Sequence, residues 1–181
     1  MTLIVLGVAL WWAAHLFKRL APGPRARMGN AGKGIVAVLI LVSVVLMVVG
    51  YRGVDHIDLW YPPAFLTHLN NLLMILALYF YAADGMKTAI TRKVRHPQLT
   101  GFKTWAVAHL LVNGDLASVI LFGGLLAWAV VSVILINRAQ PDWTPPPPKP
   151  AKFEVFAIVG ALVATVALML IHNWLGVPPW G

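Results

Sequence analysis

Between residues 95 and 124 the chain reads RHPQLTGFKTWAVAHLLVNGDLASVILFGG, placing Arg95, His96, His109, Asn113 and Asp115 in or beside strongly apolar segments. Polar and ionisable side chains are costly in a bilayer and persist where they line a cavity, hold a ligand or pair with one another. A second such residue, His15, lies in the first apolar segment behind Trp11 and Trp12, with Lys18 and Arg19 three and four positions on. That spacing puts the basic pair on the helix face of the imidazole. A neutral imidazole bonded to a carbonyl accounts for either histidine alone. Two in one small bundle also form the donor set for a haem iron held by opposed histidines, with Lys18 and Arg19 against the propionates.

The other candidates have two readings each. Arg95-His96-Pro97 is either a basic anchor before a proline-started helix or an anion site at a helix N-terminus. Asp115 has the plain role of an N-cap. His56 is expected to be solvated, His172 to belong to an interfacial belt with Asn173 and Trp174, and His68 to join Asn70 and Asn71 in a polar helix contact. Depth argues against a shared iron. His109 is about 18 Å along a straight helix from Pro97, whereas His15 is close to its basic boundary.

These residues need a membrane scaffold. Hydrophobic residues make up 60% of the 181-residue chain and charged residues 11%, and the mean hydropathy is +0.79. A water-soluble domain is about a quarter charged. The net charge of +8 comes from basic residues in short loops, a topological signal that excludes a nucleic-acid footprint. The absence of cysteine excludes disulfides, thiolate-ligated haem, iron–sulfur clusters and cysteine zinc sites. No positive charge precedes the first apolar run, so it reads as an anchor rather than a cleaved signal, with the amino terminus outside.

Apolar blocks at 2–17, 34–50, 65–83, 98–112, 115–136 and 153–175 predict an all-α, polytopic transmembrane helical bundle of about six helices, both termini outside. The loops 18–33, 84–103 and 137–152 carry the basic residues and share the inner side if Asn113-Gly114-Asp115 is a tight turn. Fusing 98–136 into one helix gives five spans and strands Arg138, Lys149 and Lys152 outside. The whole chain is read as a single transmembrane domain. Its core is 1–136, followed by a stiff proline-rich cytoplasmic linker at 137–152 and a last helix at 153–175. The tail GVPPWG lies on the outer side.

The run from Arg95 to Gly124, together with the early WWAAHLFKRLAPGPRAR, resembles the signature of the NnrU family. The likeness covers 1–136 well and is weaker beyond it. It implies a multi-pass protein of the bacterial inner membrane, linked in some members to denitrification and nitric oxide metabolism. NnrU proteins are in turn similar to the 15-cis-zeta-carotene isomerases, membrane enzymes that use haem b. That resemblance implies haem b, with His15 and His109 (the AH motif after RHP) as iron ligands. Lys18, Arg19, Arg95, His96, Trp105 and Asn113 join them as cofactor-binding candidates. This chain departs from the isomerases in Asn113-Gly114-Asp115 after the AH motif and in lacking a nearby cysteine, so the cofactor carries over more readily than the substrate.

The functional expectation is a haem b membrane protein with a redox, nitric-oxide-linked or isomerase-like role, in the last case acting on a lipophilic substrate. The alternative is a non-catalytic assembly factor for a membrane respiratory complex, docking through Trp60-Tyr61-Pro62-Pro63 and the linker. A third reading rests on the RHP motif, which also looks like that of membrane methyltransferases. Glu154 is the chain's only glutamate and the tail lacks their polar set.

Overall fold

The computed structural model describes residues 1–180; Gly181, the last residue of the outer tail, lies outside the described residues. Seven helices follow one another: α1 (Thr2–Leu20), α2 (Pro22–Arg27), α3 (Ala31–Arg52), α4 (Leu66–Met86), α5 (Pro97–Val112), α6 (Leu116–Ala139) and α7 (Lys152–Trp174). Five of them, α1, α3, α4, α6 and α7, are long and apolar enough to cross a membrane. The remaining long helix, α5, has 16 residues and so measures about 24 Å. Among the described residues there is no strand, only an isolated bridge between Asp58 and Asp115.

The helix ends follow local chemistry. Lys18 and Arg19 occupy the last turn of α1, where they face the negative end of its dipole. Pro22 and Pro97 each sit at a helix start, where a missing N–H costs nothing. The carboxylate of Asp115 caps α6 by accepting from the Ser118 amide. One turn of α6, Val119–Gly123, is wound as a π-helix.

Large aliphatic side chains such as Leu41, Val45, Val163 and Val166 are exposed, while the buried positions favour alanine, serine and threonine. That inversion is expected of helices whose outer surface meets lipid. There the contact between helices comes from close backbone approach rather than from burying large side chains.

The chain divides into two compact units. The first comprises Met1–Trp60 and Gly114–Leu135. In it α1 and α3 run antiparallel. A Cβ added at Gly7 would lie 2.9 Å from backbone atoms of both Met47 and Ser43. The indole of Trp12 donates to the Gly124 carbonyl of α6 at 2.9 Å.

The second unit comprises Tyr61–Asn113 and the chain from Ile136 onward. It packs α5 on α4, with Gly101 so close to the Ala77 carbonyl that a Cβ would stand 2.6 Å from it. It also packs α7 on α4. The Tyr79 hydroxyl donates to Glu154, whose other carboxylate oxygen accepts the Ala89 amide at 3.1 Å. The proline-rich segment from Gln140 has no helix or strand until Lys152, so the first residues of the linker expected at 137–152 belong to α6, which runs to Ala139.

Candidate functional site

The second unit holds a cavity of about 340 Å³ between α4, α5 and α7, with Pro179 also in its wall. Its wall combines flat aromatic groups (Tyr81, Phe102, Trp105), thioethers (Met74, Met169) and two histidines, His109 of α5 and His172 of α7. Both imidazoles are held in the same way. Nδ1 of His109 donates to the Trp105 carbonyl at 2.9 Å and Nδ1 of His172 to the Leu168 carbonyl at 2.8 Å. A carbonyl oxygen only accepts, so Nδ1 carries the proton. That leaves Nε2 of the neutral ring as the atom able to ligate a metal.

Beside Pro179 the amide orientations can be worked out in sequence. The Asn71 amide nitrogen donates to the Pro179 carbonyl at 3.2 Å, which turns its Oδ1 toward Asn70. The Asn70 nitrogen donates to that oxygen at 3.0 Å. The Asn70 Oδ1 is then left buried with no hydrogen-bond partner, on a residue only 9% exposed that lines the cavity. An unmade hydrogen bond on a buried acceptor costs on the order of 1–3 kcal/mol.

The first unit holds His15 in a different setting. Its Nδ1 donates to the Trp11 carbonyl at 3.0 Å. Its ring lies 4.0 Å from that of Trp11 and 4.8 Å from that of Trp128. In each unit, then, a tryptophan four residues earlier takes the imidazole proton on its carbonyl and sets its ring beside the histidine; the Trp105–His109 ring distance is 5.1 Å. WWAAH and WAVAH spell the same device twice, a signal present in the sequence but unremarked there. Lys18 and Arg19 are exposed in the last turn of α1, within the first unit.

The Arg95-His96-Pro97 junction has a definite structural job. Arg95 donates to the Gln140 and Pro141 carbonyls, and Nε2 of His96 donates to Asn137 Oδ1 at 2.8 Å. These bonds pin the start of the linker within the second unit, a role not anticipated for the pair. Asn113 ends α5 by donating to the His109 carbonyl at 2.8 Å.

In the first unit Asp115 is more than a cap. Its carboxylate also accepts from the Ser118 hydroxyl at 2.6 Å and from His56 at 3.3 Å, and the Tyr51 hydroxyl meets Ser118 at 2.7 Å. Burial pushes the Asp115 pKa up, but the hydrogen bonds from Ser118 and His56 outweigh it and hold the carboxyl below its ordinary value. His56 is exposed, as expected, yet tied to this carboxylate.

Of the residues singled out from sequence, His109 and Trp105 share the cavity, with Asn113 hydrogen-bonded at the end of the same helix. The cavity also gathers His172, Asn70 and Asn71, for which the sequence suggests only belt and packing roles. Comparison with known proteins gives one match: a model of the NnrU protein family covers residues 3–179, nearly the whole chain. No curated protein and no solved structure matches it.

Proposed function

The chain belongs to the NnrU family, and on that premise we propose that it is a haem b protein of the bacterial inner membrane with a one-electron redox role. The observation that carries this reading is His109 in its cavity. Its Nδ1 is fixed by the Trp105 carbonyl and its ring set beside the Trp105 indole, within a wall of aromatic groups and thioethers. Second-shell donation of this kind orients an imidazole and raises its basicity toward a metal.

Imidazole is a usual haem ligand and the side chains around His109 are apolar and flat, although the propionates would find no Lys or Arg among the lining residues. When bound, haem b supplies a couple that accepts and returns one electron. The protein's own residues do the rest. Trp105 holds the tautomer of His109, and Gly101 brings α5 close to α4. His15 has the same local device in the first unit.

The test is an absorption spectrum of the full chain purified in mild detergent, oxidised and then reduced with dithionite. A sharp Soret band with split α and β bands on reduction is expected, and His109→Ala should abolish or broaden it. A featureless visible spectrum that persists after haemin is added would sink the reading.

A further inference from the structure

The polar atoms in the cavity between α4, α5 and α7 set the chemistry of an occupant. The lining holds no Asp, Glu, Lys or Arg, so a charged ligand would lie there without a counter-charge, which is costly in an apolar interior. Part of the polar lining is already engaged. The Thr165 hydroxyl donates to the Ala161 carbonyl at 2.8 Å, and the two asparagine side chains are joined to each other and to Pro179. Two atoms stand out, and both are acceptors. One is Asn70 Oδ1, partnerless on a residue only 9% exposed. The other is Nε2 of His172, left unprotonated because Nδ1 donates to the Leu168 carbonyl. A buried acceptor in a native protein is met by a donor on protein, water or ligand.

We propose that this cavity binds the ring of a lipid-soluble hydroquinone, whose hydroxyls donate to Asn70 Oδ1 and His172 Nε2. Such a ring is uncharged near neutral pH, since a phenolic hydroxyl titrates at about 10, and it brings the donors that the wall lacks. Tyr81, Phe102 and Trp105 offer it flat faces, and the thioethers of Met74 and Met169 adapt to its edge. The volume of about 340 Å³ lies in the range of ligand pockets, roughly 300–1,000 Å³. The surrounding helices present exposed aliphatic side chains, such as Leu72, Leu76 and Val107, to the lipid from which this ligand arrives. The oxidised quinone has the same shape but only carbonyl oxygens, so it sets acceptor against acceptor. The site therefore selects the reduced form. This inference goes beyond the haem reading and does not rest on it, because iron ligation by His109 leaves Asn70 and His172 unmet.

The experiment titrates the full chain in mild detergent, anaerobically and without added haemin, with tetramethylhydroquinone, tetramethylphenol and tetramethylbenzoquinone, read by calorimetry. The hydroquinone should bind saturably at one per chain. The phenol, with one donor, should bind more weakly and the quinone, with none, more weakly still, each step being roughly 3- to 10-fold, the worth of one hydrogen bond. Asn70→Leu and His172→Phe should each weaken the hydroquinone by a similar factor and narrow its advantage over the quinone. Equal affinity for the three probes, or undiminished binding by both variants, would overturn the proposal and leave Asn70 to a water molecule. No saturable binding by wild type would overturn it as well. The order of the three probes on wild type needs no variant to fold, and the two substitutions lie on different helices. Haem is read separately by its absorption spectrum, so either reading can fail while the other stands.

Discussion

At the scale of single residues, Asn70 is where cost and use separate. Its Oδ1 has no partner in the chain, so it penalises the empty protein, and it repays that only when something in the cavity donates to it. Asn70→Leu removes the stranded acceptor and also the 3.0 Å bond to Asn71. Each is on the order of 1 kcal/mol, and they offset one another. The expected result is a melting temperature in detergent close to wild type. A marked loss of stability in the variant would show that the Asn70–Asn71 bond outweighs the cost of the stranded acceptor.

Asp115 gives a second residue-scale prediction, with a pH sign. Its pKa is held below the ordinary value in the folded protein. The stability it contributes is therefore complete above the unfolded carboxylate value and is lost as pH falls through the folded one. Asp115→Ala should cost about 1–2 kcal/mol near neutral pH, chiefly the lost cap. The gap between variant and wild type should close as thermal melts in detergent are taken to more acid pH. A gap that is constant through the acid range would mean that the carboxylate charge is not what holds the turn.

At the scale of elements, α5 is short and depends on how closely it can approach α4. A Cβ at Gly101 would meet the Ala77 backbone oxygen at 2.6 Å, and a carbonyl in a helix has no easy way to yield. Gly101→Ala should destabilise the protein by about 1–3 kcal/mol and weaken haem retention, since Phe102 and Trp105 ride on the same helix. Gly160 is the control, because a Cβ there meets nothing within 4 Å. Gly160→Ala is expected to be neutral or to stabilise α7 by up to about 1 kcal/mol. Equal effects of the two substitutions would show that helix propensity, not the α4 contact, sets the response.

The same helices show what could be read in advance. Apolar runs between basic loops locate α1, α3, α4, α5, α6 and α7 to within a few residues, because length and charge placement alone decide that a segment spans. Asn113-Gly114-Asp115 ends one helix and starts the next, as expected. Gly114 is needed for more than the turn, since its carbonyl accepts from Leu59 and Trp60 and a Cβ would fall 1.9 Å from the Trp60 oxygen. The rotation of each helix was not legible. In lipid a helix is apolar all round, so no polar stripe marks the face that meets its neighbours. The joint cavity of His109, His172 and Asn70 depends on that rotation in three helices separated by long stretches of sequence. The π-turn at 119–123 has no residue signature in the chain either.

At the scale of the whole molecule, the number of crossings decides on which side the termini lie, and it turns on α5. Its 16 residues give about 24 Å, against a hydrocarbon core of about 30 Å. Within its own unit, however, α5 follows α4 lengthwise. Gly101 lies against Ala77, Phe80 and Tyr81, and His109 shares the cavity with Asn70 and Asn71 near the other end of that helix. An antiparallel partner that matches α4 over this distance is what a sixth crossing requires, and six crossings predict both termini on one side. The chain has no cysteine, so single cysteines can report on each side without background. Thr2→Cys and Val177→Cys should both react with a membrane-impermeant maleimide in intact spheroplasts, whereas Thr144→Cys in the proline-rich linker should react only after lysis. Five crossings would place one terminus with the linker, so exactly one of the two terminal cysteines would then be silent until the membrane is broken.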